Sequence, residues 1–274
     1  MLRIALAGDA MLGRLLDQTL PYPLKDASEM VHGAAIRRRL GLPHPPYTAE
    51  QEQALFRRPW GDTLPLLSAA DLRVVNLETS VTTSNDKYPG KAFNFRCHPR
   101  NTPVLTAAGT DYVSLANNHI LDWGVSGMTE TLATLDAAGI AHAGAGSNLS
   151  EAWKPAVLER NGLRILLYSF SDHGTGVHSG EPDPWAAGPA TPGMNYIPLD
   201  AQHRLSQSEL TALGKRIAAE KAAAGAHICI ASIHWGPNYA WQPAAALREL
   251  AHALTDVHTG GVDVVSTINS CSHT

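Results

Sequence analysis

Ser114-Leu115-Ala116-Asn117-Asn118-His119-Ile120-Leu121-Asp122-Trp123-Gly124 is the stretch whose reading decides the fold. The apolar run from Tyr112 to Ala116 reads as a buried strand, and it stops at two amides, an imidazole and a carboxylate. Ligands of open α/β sheets sit at the carboxyl ends of the strands, so Asn118, His119 and Asp122 would project into a shared crevice. A capped turn explains the same residues, since Asn and Asp favour helix N-termini and Gly124 permits positive φ. The other strand ends decide between the two.

Leu2 to Ala7 is a compact apolar strand that ends in Gly8-Asp9. Leu72 to Leu77 is a second, carrying Asn76 and ending at Glu78, and His227 to Ile233 is a third, delivering His234-Trp235-Gly236. Asp9, Glu78, Asn118-His119 and His234 thus come from four strand ends that a parallel or mixed sheet gathers at one edge. Two carboxylates, an amide oxygen and an imidazole suit a divalent transition metal, manganese, iron or zinc, as one or two ions. Such ions lower the pKa of a bound water and hold a phosphate-like group for in-line attack. A histidine beside them that is not a ligand could protonate the leaving group. Each residue alone has a plainer explanation: Asp9 could cap a helix, Glu78 could pair with an Arg, and His234 could be a core histidine. Recurrence at four strand ends favours a site.

Between the strands lie helical patterns over Thr63 to Ala70, Val104 to Ala108 and Met128 to Ala138, the last stopped by Gly139. Ser206-Gln207-Ser208-Glu209 is a capping box whose helix runs to about Ala224, and Pro243 opens a helix to about Thr255. Asn161-Gly162 predicts a hairpin turn between Ala156 to Glu159 and Leu163 to Phe170, and Val262 to Ile268 is the last strand. Pro21 to Pro59 is a Pro-rich excursion with weak helical stretches such as Ala49 to Phe56, and its Arg37-Arg38-Arg39 reads as a solvated face. Ser171 to Pro198 has no period and carries His173 and His178. Residues 81 to 103 bear Lys87, Lys91, Arg96 and Arg100. Of the basic residues near the strand ends, Arg14, Lys91 and Arg96 are candidate contacts to an anionic substrate, although a solvated loop is the commoner reason for such charges.

Composition narrows the classes. At 274 residues and 44% hydrophobic content the chain can bury a sizeable core. A formal charge of −4 argues against a nucleic-acid-binding surface. Cys97, Cys229 and Cys271 are far apart and odd in number, so no disulfide framework is implied. The N-terminus enters a strand directly without a secretion signal, and no apolar run reaches the roughly 18 residues of a membrane span. The expectation is a soluble, cytoplasmic protein with no membrane segment; oligomeric state is not legible.

Gly8-Asp9-Ala10-Met11-Leu12-Gly13-Arg14, Val75-Asn76-Leu77-Glu78-Thr79, Leu115 to Gly124 and Ser232-Ile233-His234-Trp235-Gly236 resemble the motifs of the CapA-type capsule or poly-γ-glutamate biosynthesis proteins, relatives of the calcineurin-like metallophosphoesterases. The resemblance runs in order along nearly the whole chain, including Pro192-Gly193-Met194-Asn195 and Gly261-Val262-Asp263-Val264-Val265. It implies one domain over residues 1–274, a metallophosphoesterase-like four-layer α/β/β/α sandwich with an excursion at about 21–59 and a long loop at about 171–198. By motif, Asp9 would bind a first metal, Glu78 or Asn76 would take the bridging or nearby position, and Asn118 and His234 would bind a second. His119 would be the general acid or transition-state stabiliser and Asp122 its orienting partner.

Two departures stand out. Met11 occupies the place where the phosphoesterase motif has a His. After the last strand the family has a histidine-rich run, whereas here Ser266 to Thr274 leaves His273 as the one further candidate ligand, so an incomplete C-terminus is expected. The resemblance implies a metal-dependent, phosphoesterase-like hydrolase of an anionic small molecule or polymer, a phosphate ester or a polyglutamate. The alternative is a non-catalytic accessory or polymer-binding protein that lacks the last ligands.

Overall fold

The computed structural model describes residues 1–25, 27–172, 183–236, 242–256 and 261–269; His173, His178 and His273 lie outside the described residues. The chain clusters into two compact units. The first is Leu2–Val113 with His119–Ala141, and the second is Met1, Ser114–Asn118 and His142–Thr274.

Strands of the first unit form where apolar runs meet polar ends: β1 (Ile4–Asp9), β2 (Leu72–Asn76), β3 (Ser80–Val81), β4 (Arg96–Cys97) and β5 (Tyr112–Ser114). Its helices are α1 (Arg14–Asp17), α2 (Ala27–Arg39), α3 (Ala49–Arg57), α4 (Leu64–Ser68), α5 (Pro103–Ala107) and α6 (Gly124–Ala137). Strand β1 runs parallel to β2, with Leu6 beside Val74 and Asp9 beside Asn76, so β1 holds one residue more than β2 between those pairs. Such a bulge re-aims the side chains that follow it. Strands β3 and β4 make a short parallel ribbon, Ser80 beside Arg96 and Val81 beside Cys97. Leu72, Val74 and Val75 are buried on both faces of β2, as a parallel strand requires. Gly139, at φ +68, closes α6: its N–H donates to the Asp136 carbonyl and that of Ile140 to the Leu135 carbonyl.

The excursion holds more helix than its sequence suggests, because α2 has no apolar stripe to reveal it. Arg37 supplies the anchor instead. Its guanidinium donates to the carbonyls of Gln18 (3.1 Å), Leu20 (3.2 Å) and Pro43 (2.7 Å) and to the Tyr47 hydroxyl. Arg38 and Arg39 are solvated, as expected; Arg37 is not.

In the second unit follow β6 (Ala141–Ala143), β7 (Ala145–Gly146), α7 (Leu149–Trp153), β8 (Ala156–Arg160), β9 (Leu163–Ser171), β10 (Gly193–Met194), α8 (Gln207–Ala223), β11 (Ile228–Trp235), α9 (Ala245–Thr255) and β12 (Val264–Asn269). A four-stranded sheet has the order β12-β11-β9-β8, parallel except for the β8–β9 hairpin. That hairpin turns at Asn161 and Gly162, with φ +52 and +76, the left-handed pair that a two-residue turn needs. Alternate residues Leu166, Tyr168 and Phe170 of β9 and Cys229, Ala231, Ile233 and Trp235 of β11 form one core with Ile217 of α8 and Leu247, Leu250 and Leu254 of α9. In the first unit β1, β2 and β5 lie side by side in that order. The expected α/β class with parallel sheets is therefore present. No helix among the described residues is long and apolar enough to cross a membrane.

Candidate functional site

The bulge in β1 sets Asp9 next to Asn76, whose amide donates to Asp9 Oδ1 at 2.8 Å. Two residues past Asn76, Glu78 is fully buried. Its carboxyl is pushed up to about 9, first by burial and then by the charge and hydrogen bond of Asp9. Thr79 and Ser80 tie the surrounding loops to this corner. The Thr79 hydroxyl accepts the Leu12 N–H at 3.0 Å, and the Ser80 hydroxyl donates to the carbonyls of His119 (2.8 Å) and Ile120 (3.2 Å).

His119 is thereby delivered with its Nε2 3.7 Å from Glu78 Oε1. Its other nitrogen, Nδ1, lies 2.6 Å from Oδ2 of the buried Asp122. The same carboxylate takes the Phe95 N–H on Oδ2 and the Lys91 ammonium on Oδ1, each at 2.5 Å. With both oxygens of Asp122 already accepting, the geometry suits Nδ1 as a third donor to it, which leaves Nε2 as the nitrogen turned toward Glu78. The Phe95 ring stacks on the imidazole, centroids 4.0 Å apart. One residue therefore fixes the imidazole face with its ring and the orienting carboxylate with its backbone.

The remaining candidates sort clearly. Arg96 donates to the Ser84 carbonyl and to Asn85 Oδ1, and stacks over Trp123 at 3.7 Å. Lys91 serves Asp122. Arg14 lies over the rings of Phe93 and Phe95 at 5.1 and 5.7 Å. Asn118 and His234 belong to the second unit, both buried. There the His234 carbonyl accepts the Ser171 hydroxyl at 2.9 Å, and the neighbouring buried Asp172 lies 3.6 Å from His203 Nδ1. The first unit thus gathers Asp9, Asn76, Glu78, His119, Asp122 and Lys91. Sequence reading missed Phe95, Ser80 and Thr79, none of which carries a chemical signature of its own.

No group of three or more His, Cys, Asp or Glu placed to hold an ion occurs among the described residues. What fits a cation in the first unit is the pair Asp9 and Glu78. Burial first, and then the neighbouring Asp9, raise the Glu78 carboxyl; a divalent ion between the two would offset both, and such ions can complete their shell with water.

Comparison with known proteins places these residues in company. Residues 3–273 match the family model described as bacterial capsule synthesis protein PGA_cap. The chain is 34% identical over 275 residues to proteins of two Mycobacterium tuberculosis strains, each named "Probable polyglutamine synthesis accessory protein"; 96% of this chain is covered, and it spans 66% of their length. It is 29% identical over 204 residues to the PGA biosynthesis protein CapA of Bacillus subtilis, covering 73% of this chain and 47% of that protein.

Proposed function

The chain belongs to the bacterial capsule synthesis family PGA_cap, and from that premise we propose that it is a metal-dependent, phosphoesterase-like hydrolase acting on an anionic substrate in the making of a poly-γ-glutamate-type polymer. The observation that carries this reading is the buried Glu78 carboxyl, raised by the half-buried Asp9, beside a histidine whose proton position is set by Asp122. Asp9 and Glu78 would hold the ion. Manganese, iron or zinc bound there would supply an activated water and a positive charge against a phosphoryl or carbonyl oxygen.

The chain's own groups supply the rest. Asp122 holds His119 in one orientation with its proton on Nδ1, so that Nε2 would take a proton from the attacking water and, as the imidazolium that Asp122 stabilises, give it to a departing oxygen or nitrogen. Lys91 pairs with the second oxygen of Asp122. Stacking by Phe95 stops the imidazole from rotating about its Cβ–Cγ bond.

Metal analysis of the purified chain tests the reading. We expect about one or more manganese, iron or zinc ions per chain, lost in Glu78→Ala and kept in His119→Ala, with turnover of a phosphodiester or γ-linked oligoglutamate lowered about 10²- to 10⁴-fold in the latter. Polymer binding without metal or turnover would refute the hydrolase and leave an accessory protein.

A further inference from the structure

We propose that Arg14 is the anion-binding arm of this site, its guanidinium held on a Phe93–Phe95 platform beside His119 to take an oxyanion of the substrate as a bidentate pair. The placement begins at Gly13. A Cβ there would stand 3.0 Å from the backbone nitrogen and 3.1 Å from the backbone oxygen of Arg96, and 3.1 Å from Cβ of Phe95, so the turn after β1 lies directly against β4. The next residue is Arg14, at φ +53. A left-handed backbone is unfavourable for a residue with a Cβ, by about 1–2 kcal/mol. That conformation carries the side chain over the two rings.

Several other arginines of this protein are tied to oxygens. Arg37 grips three carbonyls, Arg73 pairs with Asp111 at 2.8 Å, and Arg216 pairs with Glu220 at 3.0 Å. Among the described residues the Arg14 guanidinium meets ring faces alone, with no carboxylate or carbonyl taking its N–H groups. Aromatic faces hold the cation flat and leave its edge of donors outward. The platform is open to a ligand, since Phe93 is 47% exposed. Its inner ring, Phe95, stacks on the imidazole of His119. Lys91, the other cation near His119, is committed to Asp122. A planar fork with unused donors matches the paired oxygens of a carboxylate or a phosphoryl group.

The inference rests on the reading of this site as one that handles an anionic substrate, but its test reads binding and not turnover. The purified chain is titrated by calorimetry with inorganic phosphate and, separately, with tri-γ-glutamate. Arg14→Ala is expected to weaken at least one of the two by about 10- to 100-fold, the worth of a charge-assisted bidentate pair. Arg14→Lys, which keeps the charge and loses the fork, should recover only part of that loss. Arg14→Gly relaxes the left-handed backbone, so it should melt at or above the wild-type temperature and still bind as weakly as Arg14→Ala. Loss for phosphate alone assigns a phosphoryl group to the arm, and loss for the peptide alone assigns a polymer carboxylate. Wild-type protein that binds neither probe, or variants within about twofold of wild type for both, overturns the proposal. Missing metal or missing turnover, with the Arg14 effect intact, counts against the hydrolase and leaves the anion arm standing.

Discussion

Replacing Glu78 by Gln is expected to stabilise the metal-free protein near neutral pH and to make it the weaker of the two once a divalent cation is added. Glu78 is fully buried, and its carboxyl is pushed from 4.5 to about 9 by burial and by Asp9. With a folded-state pKa above the unfolded one, the folded chain keeps a proton that the unfolded chain has lost. The stability from this group is therefore complete below about pH 4.5, declines as pH rises, and is gone above about pH 9. At about pH 7.5, three units above the ordinary value, the decline amounts to about 4 kcal/mol at 1.36 kcal/mol per unit. Local relaxation and the charge shared with Asp9 reduce this to roughly 2 kcal/mol. Gln keeps the shape without the titration, so its advantage in chelator should be small at about pH 4.5 and roughly 2–4 kcal/mol at about pH 7.5. Urea denaturation of both proteins in EDTA at the two pH values measures this, and subtracting one protein from the other cancels the remaining titrating groups. Manganese at about 1,000 times its dissociation constant should then add about 4.1 kcal/mol to the wild type alone. A wild type more stable than Glu78→Gln in EDTA near pH 7.5, or a difference that does not grow with pH, would refute the reasoning.

Asp122→Asn should lower kcat by about 10²- to 10⁴-fold while leaving metal content unchanged, because Asn no longer fixes the proton on His119 Nδ1; a matching loss of metal would place Asp122 among the ligands instead. Gly144→Ala should lower stability by about 3 kcal/mol or more, read as a fall in melting temperature, since its Cβ at φ +102 would lie 2.3 Å from Ser169 Oγ and 2.6 Å from the Ala116 nitrogen. An unchanged melting temperature would mean that the second unit's loop is softer than these distances imply.

Much of the fold was legible because its signals are local. The Ser206 to Glu209 capping box starts α8, Gly139 stops α6, and Asn161-Gly162 makes the β8–β9 turn, each through atoms a few residues apart. Strand limits moved where hydrogen bonding overrode hydropathy. Strand β5 stops at Ser114, two residues before its apolar run ends, and β11 continues through His234 and Trp235 because Ser171 of β9 pairs with His234 and Asn269 of β12 pairs with Trp235. Helix α2 was invisible for the opposite reason: it is fastened by Arg37 to carbonyls outside the helix and not by a buried stripe.

The site divides along the same line between local and distant. A carboxylate or imidazole at the end of an apolar run is a local pattern, so Asp9, Glu78, His119 and Asp122 could all be named from the sequence. Whether a cation nearby is available is not a local property. Lys91 and Arg96 had the same standing as Arg14 as contacts for an anion. Lys91 meets Asp122 31 positions on, and Arg96 folds back on Ser84 and Asn85 and over Trp123. Phe95 has no chemistry of its own, yet its ring stacks on His119 and lies under Arg14, and its N–H donates to Asp122. A loop can therefore look like a cluster of substrate-binding charges and serve mainly to set the geometry of one histidine. Of Arg14, Lys91 and Arg96, Arg14 alone among the described residues ends on ring faces and not on oxygens, and that leaves its donors to bind an anion.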